Sequence, residues 1–179
     1  MPVFTRNKTW SVDEMANAVL LNQYHRDNEA ATLHRLAYKT ADETLASNTT
    51  LQNDNELFFS IYPNEKWYLR LVLICFQSSA VSFDCDIKVA FTFTAGALTM
   101  TSWTRSTGSG LTFVSWTGSG TPQSLYAKQT AVVVHVIEGY LQGGTAAPLT
   151  FAVQWAQNTS DAGPLHVYPG STLWGANIS

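Results

Sequence analysis

The side chains of this sequence best suited to metal binding or proton transfer near neutral pH are four histidines, His25, His34, His135 and His166. They are far apart in the chain, and none has a second ligand at the spacing a zinc site requires. His135 alternates with Val134 and Val136, which marks it as an outward or hydrogen-bonded strand residue. Asp84 and Asp86, at i and i+2, share one face of an extended chain and could jointly hold a calcium ion. No further acidic residue lies near them, and a solvated strand face is the simpler reading. Asp13/Glu14 and Asp42/Glu43 are adjacent pairs whose side chains face apart on a helix or strand, so neither reads as the acid and nucleophile of a glycosidase.

Nucleophile elbows, phosphate-binding loops and dinucleotide fingerprints are missing from the sequence. Gly108, Gly110, Gly118 and Gly120 alternate with Ser as in a loop, not a phosphate cradle. Catalytic, cofactor and metal sites are therefore not expected. Trp103 and Trp116 flank these Gly/Ser segments. Burial in a core or a subunit interface is the commoner use of such rings, and glycan contact through exposed tryptophans beside loops is the alternative. Cys75 and Cys85 are the only cysteines. A strand-turn-strand centred near Ala80 would set them opposite each other, and either a disulfide or two buried thiols would fit. The Asn-x-Ser/Thr triplets at Asn7, Asn48 and Asn158 are what chance gives in a chain this rich in Asn, Ser and Thr.

Charged residues make up only 13% of the 179, so uncharged polar side chains must supply much of the surface, as suits packing against other proteins. A net charge of -3 without a basic cluster leaves no electrostatic footprint for nucleic acid. The N-terminus has no apolar run of signal-peptide length, and no stretch approaches the roughly 18 apolar residues that span a bilayer. Synthesis in a cytoplasm without membrane insertion is the expectation.

These residues need a scaffold, and periodicity supplies it. Residues 1–10 read as an extended arm with Phe4 and Trp10 as apolar anchors. Ser11 and Glu14 have capping-box spacing, and Met15, Val19 and Leu20 form one face of a short helix over 12–25. A further helical turn through Glu29 to Leu36 is expected to use Leu33 and Leu36. From there the period is two. Strands are expected at Ala37–Leu45, Glu56–Tyr62, Lys66–Gln77, Phe83–Thr94, Ala97–Trp103, Leu111–Trp116 and Ala131–Leu141, with loops at 47–55 and 118–123. Leu149–Asn158 places Phe151, Val153 and Trp155 on one side. After the NTSDAGP turn it forms a closing pair with the segment from Leu165 onward. In Lys66–Gln77, Trp67, Leu69, Leu71 and Leu73 oppose Tyr68 and Arg70, and both faces turn apolar from Leu71, so this strand should be central and covered on both sides. The expectation is a mainly β chain: an antiparallel, jelly-roll-like sandwich of eight or nine strands at 36–179, preceded by an arm and helix at 1–35.

Three segments carry a resemblance: AVLLNQYHRDN at 18–28, KTADETLASNTTLQNDNELFF at 39–59 and VQWAQNTSDAGPLHVYPGSTL at 153–173. Together they resemble a family of small virion structural proteins of tailed bacteriophages, of capsid-decoration, head-fibre or minor tail type. In that family an LNxxxRDN-like helix precedes a β-sandwich that ends QWAQNTS and then Gly-Ser-x-Leu. The sequence departs from the pattern at Trp174, Gly175 and Ala176, where basic, strand-continuing residues are expected.

The resemblance implies a non-enzymatic virion component. A helix of about four turns is marginal alone in water, so Phe4, Trp10, Met15, Val19 and Leu20 are expected to anchor the knob to a neighbouring subunit or other virion proteins. The resemblance also implies a homotrimer, because jelly-roll virion appendages resemble one another in being threefold. The low charge and the two-faced apolar strand point independently to closed self-association. The alternative function is a module that binds host-surface glycan through Trp103 and Trp116.

Overall fold

The computed structural model describes residues 34–78, 84–94, 96–104, 112–128 and 132–179. The anchoring residues Phe4, Trp10, Met15, Val19 and Leu20, together with the expected helix over 12–25, lie outside them.

The described residues form twelve strands and no helix. They are β1 (His34–Tyr38), β2 (Glu43–Leu45), β3 (Gln52–Ile61), β4 (Lys66–Gln77), β5 (Asp84–Thr92), β6 (Gly96–Thr104), β7 (Thr112–Trp116), β8 (Gln123–Lys128), β9 (Val133–Gly143), β10 (Leu149–Gln157), β11 (Leu165–Val167) and β12 (Thr172–Asn177). All pairings are antiparallel. One sheet of eight strands runs β1-β12-β4-β9-β6-β7, with β11 beside β4 and β2 beside β11, and a second sheet of four runs β3-β10-β5-β8. The two sheets pack face to face, and the expected antiparallel β-sandwich is the fold.

Alternation explains the packing. Along β4, Trp67, Leu69, Leu71, Leu73 and Cys75 are buried on one side, while Lys66 and Arg70 are exposed on the other. Opposing them from the small sheet are Leu57, Phe59 and Ile61 of β3, Ile87, Val89 and Phe91 of β5, and Phe151, Val153 and Trp155 of β10. Phe91 and Phe151 stack at 5.4 Å near the middle of this layer. Two-sided demand on β4 is met on its inner face by the small sheet. The Tyr168–Ser171 turn fastens its C-terminal half, with Tyr168 N–H donating to Ile74 O at 2.9 Å and Ser171 Oγ accepting from Ile74 N at 2.9 Å.

Several expectations are corrected. Residues 34–36 belong to a strand, not a helical turn, because His34, Arg35 and Leu36 pair with Ala176, Gly175 and Trp174. The expected edge strand 37–45 is two strands, interrupted where Lys39 turns inward. Strand β3 starts at Gln52, inside the expected loop, and the polar segment 123–128 is a strand paired with β5.

The closing pair is not a hairpin. β10 lies in the small sheet, whereas β11 and β12 cross to the large one and share the same edge of β4. Likewise β4 and β5 occupy different sheets, so Cys75 and Cys85 are not opposed across a hairpin. Cys75 is buried, and the Cys85 side chain is outside the described ones.

At Trp174, Gly175 and Ala176 the strand continues to Asn177, between β1 and β4. Gly175 is required by close packing: a Cβ there would lie 2.9 Å from Phe59 Cζ and 3.0 Å from Trp67 Cε3.

Candidate functional site

Two chemically distinct features stand out, a buried polar cluster at one end of the sandwich and an aromatic face on the large sheet. The cluster begins with an irregularity. Between Phe58, paired with Ala152, and Asn53, paired with Gln154, residues 54–57 of β3 stand opposite Val153 alone. This bulge turns the carboxylate of Asp54 into the interior. Its Oδ1 accepts the backbone N–H groups of Glu56 and Leu57, both at 2.9 Å, and its Oδ2 accepts the Trp155 indole N–H at 3.1 Å.

The Lys39 ammonium completes the cluster, donating to Asp54 Oδ2 at 2.9 Å and to Glu43 Oε2 at 2.6 Å. Burial alone would lower the pKa of Lys39, but the hydrogen bonds to Glu43 and Asp54 outweigh it and hold the pKa above its ordinary value. Glu56 lies 3.9 Å from the ammonium. Its carboxylate accepts hydrogen bonds from the Thr40 hydroxyl and N–H, which hold its pKa below the usual carboxylate range. Every buried donor and acceptor named here is matched, so the arrangement is a pin joining the β1–β2 corner to the β3 bulge and β10.

Gln157 does the same for the turn after β10. Its side-chain amide donates to Asp161 O at 3.0 Å and Gly163 O at 2.8 Å, and its Oε1 accepts the N–H of Asn48 at 3.1 Å. The text QWAQNTS therefore places two structural residues, Trp155 and Gln157, where the strand leaves the core.

The other sequence candidates separate in space. Asp42 and Glu43 do face apart, Asp42 toward His166 Nδ1 at 2.9 Å and Glu43 toward Lys39. Asp86 Oδ2 accepts the Thr159 N–H at 3.1 Å and so fastens the turn after β10. The Asp84 side chain is outside the described ones. Among the described residues, no group of three or more His, Cys, Asp or Glu could hold a metal ion. No described helix is long and apolar enough to cross a membrane.

His135 is a correction. It points inward opposite Leu73 and is almost fully buried, and neither ring nitrogen has a hydrogen-bond partner. Burial pushes its pKa down to about 4, which keeps the ring neutral. Trp116 takes the core position of its two readings. It is fully buried, edge-on to Phe91 at 5.5 Å, with its indole N–H donated to Val89 O at 2.8 Å, so it presents nothing to a glycan. Trp103 lies in β6, paired with Val136 and Phe113, and its side chain is outside the described ones.

The aromatic face was not legible as a unit in the sequence. On the outer side of the large sheet, His34 of β1 stacks on Trp174 of β12 at 5.3 Å, and Trp174 meets Tyr68 of β4 edge-on at 6.0 Å. Tyr68 in turn packs on Tyr140 of β9 at 5.5 Å. This row of rings crosses four adjacent strands. Leu36 is 62% exposed and Tyr38 and Tyr140 are each 57% exposed. Near the middle of the row Arg70 and Glu138 form an ion pair at 3.2 Å. A shallow cavity of about 290 Å³ opens at one end, bounded by Lys66, Thr99, Tyr140, Gln142 and Ile178. Only Tyr68 and Arg70 were expected on this side, since the strands that complete it come from widely separated parts of the chain. Chemically, the face offers apolar contact and little charge.

Comparison with protein-family models, with curated proteins and with solved structures found no match to this chain.

Proposed function

We propose that this chain is a non-enzymatic structural component of a tailed-phage virion, a β-sandwich knob attached through its N-terminal segment and assembled as a homotrimer, on the capsid as decoration or head fibre or in the tail as a minor protein. The observation that carries the reading is the aromatic and aliphatic outer face of the large sheet, on which Leu36, Tyr38, Val134 and Tyr140 are exposed. Support comes also from the resemblance of the segments at 18–28, 39–59 and 153–173. In the last of these, Trp155 and Gln157 fasten the end of β10 to Asp54 and to the turn that follows. Among the described residues, the core cluster of the sandwich is built from residues between Leu57 and Leu173.

Attachment is tested by deleting residues 1–28. The truncated chain is expected to keep the circular-dichroism spectrum of a β protein and to fail to join particles. Particles that take up the truncated chain as well as the full one would overturn the anchoring role of Phe4, Trp10, Met15, Val19 and Leu20.

A further inference from the structure

We infer that Lys39 and Asp54 condense to an amide, a covalent cross-link between the edges of the two sheets, with Glu43 carrying a proton for the reaction. Lys39 follows β1, the edge strand of the large sheet, and Asp54 sits in the bulge of β3, the edge strand of the small one. The backbone of Lys39 is held from both sides: its N–H donates to Ser171 O at 2.8 Å and its carbonyl accepts the Gly170 N–H at 2.9 Å. Nζ and Oδ2 meet at 2.9 Å, with the two side chains 1% and 0% exposed, out of reach of bulk water. Three features set the cluster apart from a plain ion pair. Asp54 Oδ1 accepts the backbone N–H groups of Glu56 and Leu57, both at 2.9 Å, an arrangement that stabilises the oxyanion of a tetrahedral intermediate. Asp54 Oδ2 accepts the Lys39 ammonium and, at 3.1 Å, the Trp155 indole N–H, and so is the oxygen placed to leave. Glu43 Oε2, 2.6 Å from Nζ, is a base in contact with the nucleophile.

The step balances within the cluster. One proton passes along the hydrogen bond from Nζ to Oδ2, turning the ion pair into a neutral amine and a carboxylic acid. Nζ then adds to Cγ, and the charge that develops on Oδ1 is met by the two backbone N–H groups. Glu43 takes a second proton from Nζ and returns it to Oδ2. The Cγ–Oδ2 bond breaks, water leaves and the Nζ–Cγ amide remains, with no change of oxidation state. The hydrogen bonds to Glu43 and Asp54 keep Lys39 an ammonium at rest, so the first proton transfer limits the rate and the reaction is a single slow turnover that follows folding. Two effects drive it. Groups held in reacting geometry behave as if at effective concentrations of about 10⁵–10⁸ M. Condensation also exchanges two buried charges for a neutral amide and removes the cost of keeping them from water. The product closes a loop around β2 and ties β1 to β3, so that neither sheet edge can peel away without a covalent bond breaking.

Tryptic digestion of the purified full-length chain after denaturation, read by mass spectrometry, tests the bond directly. Trypsin does not cut after an acylated lysine, so residues 36–66 should appear as one peptide, lighter than their sequence by one water. Glu43→Gln keeps the shape of the side chain but not the base. It should keep the β circular-dichroism spectrum, be cut after Lys39 and show no loss of water. The wild-type digest decides the cross-link whether or not the variant folds. A folded wild-type chain that is cut after Lys39 and has lost no water would overturn the inference. So would a chain that lacks one water but is still cut after Lys39, the mark of a succinimide at Asp54. Loss of water in Glu43→Gln as complete as in wild type would overturn the role of Glu43.

Discussion

Lys39 and Asp54, fifteen residues apart, meet as a buried ion pair with 2.9 Å between Nζ and Oδ2. Both side chains are essentially removed from water, and the pair holds because Asp54 also accepts two backbone N–H groups and the Trp155 indole. Removing one partner leaves the other charge buried and uncompensated. Lys39→Met is therefore expected to destabilise the fold by about 3–5 kcal/mol, and Lys39→Met with Asp54→Leu by less than the sum of the two single changes. Urea denaturation of the three variants checks this. A single change costing under about 1 kcal/mol would show that the pair is not a structural pin.

Strands β4 and β10 were legible because their apolar residues alternate without interruption, and a strand so patterned can bury only one side or both. What could not be read was pairing across distance. Residues 34–36 look like the end of a helix until Ala176 and Trp174 lie opposite them, and Gln52–Asn55 looks like loop because its polar residues serve a bulge around Asp54. The hydrophobic pattern of β10 and β11 gives their periods but not that they join different sheets. The same limit hid the aromatic row, since Trp174, Tyr68 and Tyr140 are neighbours only by register. Trp116 was ambiguous in the sequence, and burial beneath β5 resolves it as core.

His135 makes stability depend on pH. In the unfolded chain its pKa is the ordinary 6.5, and in the fold burial lowers it to about 4. Between these values the unfolded state binds more proton than the folded state, so stability falls as pH drops from about 6.5 to about 4 and is complete above that window. The loss attributable to this residue is on the order of 3 kcal/mol. His135→Leu should flatten the dependence over that range. An unchanged slope of unfolding free energy against pH in the variant would remove His135 as its source.

Gly175 faces Phe59, Trp67 and Leu69, with 2.9 Å as the closest approach a Cβ would make. Gly175→Val should overpack the core and cost about 1–3 kcal/mol, read as a lowered urea midpoint. A midpoint equal to wild type would mean that β12 can move away from β4 at no cost.

Trp116→Ala should destabilise the sandwich by about 3–5 kcal/mol through the cavity it opens beside Phe91. The melting temperature measures this. A variant as stable as wild type but deficient in glycan binding would restore a surface role to this residue.

The central proposal, that the chain is a structural part of a phage particle, is tested most directly by labelling purified particles with an antibody raised against the sandwich and viewing them by negative-stain electron microscopy. Label at a fixed, repeated position on head or tail is the expected result. Particles of full infectivity that carry no label, and no peptide of this chain by mass spectrometry, would contradict it.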